Sequence, residues 1–76
     1  MDQIIKEGMY KLLNTQLSQV KGHIESLEDI INDNLSQKIG DEEAIIELDA
    51  FVKLFDKKAS YVKQTIGTII QIGYNS

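Results

Sequence analysis

The stretch Asn32-Asp33-Asn34-Leu35-Ser36-Gln37-Lys38-Ile39-Gly40-Asp41-Glu42-Glu43 is dense in oxygen-bearing side chains. Asn32, Asn34 and Ser36 fall at positions one, three and five of a twelve-residue window, Ile39 at position eight and Glu43 at position twelve. This is the spacing of a helix–loop–helix calcium loop, where hard oxygen ligands surround the ion. Two positions speak against it. Gln37 stands where the sharp turn needs glycine, and Asn32 stands where aspartate is expected. A helix C-terminus rich in Asn and Asp accounts for the same letters, so no calcium site is expected.

Other chemistry is scarce. His23 is the single histidine and there is no cysteine, which leaves no ligand set for zinc and no disulfide. There is no nucleophile elbow, no glycine-rich phosphate loop and no histidine pair. We therefore expect no enzyme activity, no cofactor and no small-molecule substrate. His23 lies between Gly22 and Ile24, beside an apolar ladder, and is expected to be a solvated flank residue.

Net charge narrows the partners. The chain carries −4, and all eight basic residues are lysines. Nucleic-acid affinity rests largely on phosphate neutralisation, for which arginine is also the better side chain, so that class is not expected. No apolar run approaches the ~20 residues needed to span a bilayer. Met1-Asp2-Gln3 has neither a basic nor an apolar leader region. With no cysteine, a cytoplasmic location is expected, and the Lys, Ile and Asn usage suggests an AT-rich bacterial or phage genome.

The elements follow from apolar spacing. Tyr10, Leu13, Leu17, Val20, Ile24, Leu27 and Ile31 recur in steps of three and four, as do Ile45, Leu48, Val52, Phe55, Ala59, Val62, Ile66 and Ile69. Such ladders belong to helices packed side by side, knobs into holes. Gly40 suits a left-handed residue ending the first helix, and Asp41 an N-cap for the second. Asp2 can cap the first helix, and Gly73 can end the second ahead of Tyr74-Asn75-Ser76. The expectation is an all-α, two-helix antiparallel coiled-coil hairpin forming one domain over residues 1–76. Helix 1 runs from about 3 to 37, the turn covers 38–41, and helix 2 runs from about 42 to 72. A reversal between Ile39 and Gly40 opposes residues whose numbers add to 79 (39 and 40), and Leu27/Val52, Ile24/Phe55 and Leu17/Val62 meet that condition. The two ladders are thus expected to form the seam.

A chain this short buries only about 60% of its unfolded surface, so its core is marginal without help. A second apolar stripe flanks the ladders: Ile5, Met9 and Leu12 in helix 1, and Phe51, Leu54, Tyr61 and Ile72 in helix 2. These residues are expected to face a partner, either a second copy completing a four-helix bundle or the groove of another protein. Gly8 and Gly22 allow close helix approach or bending, or are simply tolerated in helix 1.

Charge is polarised. Residues 25–49 hold nine acidic side chains against Lys38 alone, while seven lysines lie toward the other end. In a hairpin the acidic group gathers at the turn, where Asp41, Glu42 and Glu43 form an acidic tip suited to steering a basic partner.

Ile24-Glu25, Leu27, Ile31, Gly40, Ile45-Ile46 and Leu48 resemble the spacing in Spo0E-like sporulation phosphatases, which are short helical hairpins. That family's signature, Ser-Gln-x-Leu-Asp early in the second helix, is replaced here by Asp49-Ala50-Phe51-Val52-Lys53. The resemblance implies no phosphatase activity but is compatible with a regulator that binds a phosphorelay protein. The architecture also looks like small helical co-chaperones of bacterial secretion systems, without a residue-level motif. The function expected from the sequence is a protein–protein interaction module: a regulator, adaptor or inhibitor acting through helical faces as a homodimer. The alternatives are a co-chaperone stable only in a heterocomplex and a diverged Spo0E-like phosphorelay regulator that lacks the phosphatase signature.

Overall fold

The Asp2 carboxylate accepts hydrogen bonds from the backbone N–H groups of Ile4 at 2.8 Å and Ile5 at 3.3 Å. This N-cap satisfies two of the donors that any helix start leaves unpaired. In the computed structural model, which describes residues 1–75, it opens α1 (Gln3–Leu35). With no proline to interrupt it, α1 continues for 33 residues, and α2 (Asp41–Tyr74) for 34. The two pack antiparallel as a helical hairpin measuring 54 × 16 × 11 Å.

The turn differs in detail from the sequence expectation. α1 ends at Leu35 rather than near 37, and the left-handed residue is Gln37, with φ 65°, not Gly40. The carbonyls of the last helical turn explain this. The Lys38 N–H donates to the Asp33 carbonyl at 2.8 Å, and the Gln37 N–H to the Asn34 carbonyl at 3.1 Å. This paired closure is the Schellman arrangement, which requires a left-handed residue at the position Gln37 occupies. Gly40 is extended, with φ −78° and ψ 169°, and serves as the N-cap of α2 without a side chain to contribute. Asp41, expected as that cap, is instead the first helical residue, followed by Glu42 and Glu43 in a turn where the helix dipole favours negative charge. The Asn34 side-chain amide bridges the helices, donating to the Ile39 carbonyl at 3.3 Å and the Asp41 carboxylate at 3.0 Å. α2 passes through Gly73 to Tyr74, beyond the expected end near 72, and Ser76 lies outside the described residues.

Only Ala44 and Thr65, 3% and 6% exposed, are buried among the described residues. The rest of the seam is half-buried: Met9, Leu13, Gln16, Val20, His23, Leu27, Ile30 and Asn34 on α1, and Glu47, Phe51, Phe55, Lys58, Val62, Ile69 and Ile72 on α2. One helix pair has one seam, and the shape reflects it. The radius of gyration is 17.1 Å, where a compact chain of this length would have about 11 Å. A Cβ added at Gly8 or Gly22 would meet nothing within 4 Å, so the helices do not approach through these positions.

The turn geometry generates a prediction. Gln37→Gly should raise stability by about 0.5–1 kcal/mol, because glycine takes the left-handed conformation without a Cβ clash. Gly40→Ala, at an extended φ with open space around it, loses unfolded-state freedom but also a favoured N-cap residue, and should be neutral or slightly destabilising. Urea denaturation of both variants checks this assignment of the turn, and the opposite ranking would contradict it.

Candidate functional site

The seam fixes what each helix shows to the outside. Along α1, Met9, Leu13, Gln16, Val20, His23, Leu27, Ile30 and Asn34 step by four and three. This is the heptad period of the expected ladder rotated by about half a position. Leu13, Val20 and Leu27 belong to both sets. Tyr10, Leu17, Ile24 and Ile31, expected in the seam, are instead exposed on its flank, as are Ile45, Leu48, Val52 and Ile66 of α2. The expected pairing is also shifted: His23 stacks on Phe51 and Phe55, and Asn34 bonds Asp41, pairs whose numbers all add to less than 79.

His23 supplies a reason. Its ring lies 4.4 Å from that of Phe51 at 12° and 6.2 Å from that of Phe55 at 7°, and the two phenyl rings are 5.3 Å apart. Its Nε2 sits 3.2 Å from the Phe51 carbonyl oxygen, which can only accept, so Nε2 carries the proton of that bond. The histidine expected on a solvated flank is thus part of the seam, joining α1 to the α2 backbone. Two successive four-residue steps, Glu47–Phe51–Phe55, bring both phenylalanines to it.

The flanks can be assigned to sides. Ser26, Asp29 and Asp33 of α1 line a groove with Ala50 and Leu54 of α2, so these share one side of the hairpin. Ser26, Asp33, Ala50 and Leu54 each precede a seam residue, as do Leu12 and Tyr61. Tyr10, Leu17, Ile24, Ile31, Leu48, Ala59 and Ile66 each follow one, and at 100° per residue they lie on the opposite side. That second side carries an apolar strip along the hairpin, with Asn14, Lys21, Glu28, Asp56 and Lys63 at its outer margins. Tyr10, Leu17, Ile24, Ile31, Leu48 and Ile66 are 37–46% exposed, and Ile45 and Val52, at its margin, 65% and 62%.

The stripe expected to face a partner is divided by this geometry. Ile5, Leu12, Leu54 and Tyr61 are exposed, Leu12, Leu54 and Tyr61 on the groove side. Met9, Phe51 and Ile72 are half-buried in the intramolecular seam. Asp41, Glu42 and Glu43 are exposed at the turn. The calcium-loop letters do not form a loop: Asn32, Asp33 and Asn34 are helical, and the described residues contain no cluster of three or more potential metal ligands. No helix is long and apolar enough to cross a membrane. No family model, curated protein or solved structure matches the chain.

Sequence reasoning missed the groove because it counted Phe51 and Leu54 on one stripe with Ile72 and took His23 as solvated. The i, i+4 spacing of Phe51 and Phe55 beside a lone aromatic-sized polar residue was the available signal. Gln16 is a second polar seam residue, and its Oε1 is buried without a hydrogen-bond partner. An unsatisfied buried acceptor costs about 1–3 kcal/mol. Gln16→Leu should therefore raise stability by about 1–2 kcal/mol, and His23→Ala should lower it by about as much through loss of stacking and the Phe51 bond. Chemical denaturation followed by circular dichroism measures both, and a destabilised Gln16→Leu would show that the amide has a partner in solution.

Proposed function

We propose that this protein is a non-catalytic protein–protein interaction module that works as a homodimer of hairpins. The observation that supports the reading is the continuous apolar strip on the side of the hairpin opposite the groove. The chain exposes 5829 Å², whereas a compact chain of 8.6 kDa exposes about 4,700 Å². The excess of about 1,100 Å² compares with the roughly 800 Å² that each partner buries in a stable interface. Two hairpins joined strip to strip make a four-helix bundle, in which the Leu and Ile ladders become the shared core.

Charge favours one orientation. With the hairpins antiparallel, each acidic turn, bearing Asp41, Glu42 and Glu43, lies beside the partner's lysine-rich open end. Turn beside turn would bring like charges together. The cysteine-free composition supports a cytoplasmic setting, and the module's further partner would be another protein. A regulator or adaptor is the reading adopted, with a co-chaperone as the alternative if the hairpin is unstable alone.

Light scattering over a concentration series, with circular dichroism on the same samples, tests this. A helical dimer at micromolar concentration is expected. Leu17→Glu with Ile24→Glu should weaken dimerisation at least tenfold, while Leu12→Glu on the groove side should leave it unchanged. A well-folded monomer overturns the dimer, and a poorly helical aggregate moves the co-chaperone alternative to first place.

A further inference from the structure

With the apolar strip assigned to a second copy, a concave surface remains on the opposite side. We infer that the groove between the turn-proximal halves of α1 and α2 receives a basic amphipathic segment of a partner protein. The inference rests on the interaction-module reading above but not on the dimer, because the groove opens away from the strip.

The groove has a volume of about 530 Å³, within the ~300–1,000 Å³ range of binding clefts. Ile30, Ala50, Phe51 and Leu54 supply its apolar lining, beside His23. Phe51 packs against both the His23 and the Phe55 rings, which also stack on each other, and its carbonyl is tied to His23, so three rings and a hydrogen bond brace this wall. Such a wall suits an aliphatic or aromatic anchor presented at helical spacing. Alanine at position 50 leaves room for it.

Asp29, Asp33 and Glu47 supply the charged lining beside Ser26, and no lysine joins them. Among the described residues these three carboxylates form no ion pair; Asp49, outside the groove, is the carboxylate that Lys53 takes, at 3.0 Å. The occupant must therefore combine two properties. Its apolar side chains match the lining, and lysines or arginines spaced along its flanks reach the carboxylates. A small cation would leave the apolar wall unused, and nucleic acid or an anionic lipid surface would meet repulsion from the acidic half of the molecule.

The test uses the full chain and a labelled amphipathic peptide of about eighteen residues built from leucine and lysine, followed by fluorescence anisotropy. The same peptide with glutamate for lysine is the control, and solution mass is measured on each sample. The lysine peptide should bind, with amide NMR shifts concentrated at Ile30, Ala50 and Leu54. Asp29→Lys with Asp33→Lys should weaken it at least tenfold, and Ala50→Arg should do the same by filling the groove. Reversal of Asp41, Glu42 and Glu43 to lysine should change affinity less than threefold, and so should the strip variant Ile24→Glu. Equal binding of both peptides, equal loss on tip and groove reversal, or shifts mapping to the Leu17–Ile24 strip would each overturn the site. A monomeric wild type that binds in the groove would remove the dimer and leave this inference standing.

Discussion

A hairpin of two helices has one seam, and that limit governs the rest of this molecule. Each helix can turn only one stripe toward its neighbour, while its sequence carries apolar residues over a wider arc. Whatever lies beyond the seam stays half-exposed, however favourable its burial would be. The outcome is a rod with two buried residues among those described, a long apolar strip on one side and a shorter groove on the other. In a larger domain a third helix would cover the strip. Here the two helices leave it exposed.

The seam also does more than bury carbon. His23 and Asn34 tie the helices together through hydrogen bonds to backbone or side chain across the hairpin, one near the middle and one at the turn. Such polar links contribute modest stability but penalise a shifted alignment, since a slip strands a buried donor or acceptor. Ala44 and Thr65, both small, are the positions this seam buries most fully, one near the turn and one toward the open end. The turn adds a local constraint, with the Asp33 carbonyl receiving the Lys38 N–H and Gln37 accepting an unfavourable φ to make that possible.

Polarity of charge gives the rod two different ends. Antiparallel folding carries Glu25, Glu28 and Asp29 back beside Glu47 and Asp49, so a separation that looks gradual along the chain becomes abrupt in space. The same acidic half contains the groove and its stacked rings. Apolar lining and carboxylates therefore lie at one place, the combination on which the proposed recognition of a basic helical segment rests. The strip lacks such a charge bias along its centre, which is why its proposed occupant is a second copy rather than a charged partner.

The sequence alone determined that there are two long helices, that they turn back near residues 38–41, within two residues of the observed turn, and that the turn end is acidic. Heptad spacing, the absence of proline and the Asp2 cap are local properties and survive any packing. It did not determine the azimuth at which the helices meet. A periodicity gives the pitch of an apolar stripe, and a stripe three or four heptad positions wide admits several seams of similar apolar content. Tyr10, Leu17, Ile24 and Ile31 were legible as a ladder but not as an exposed one, and His23 was legible as a lone polar residue but not as the centre of a stack. Those choices rest on contacts between residues 28 or more apart, such as His23 with Phe51, and only the tertiary structure brings them together.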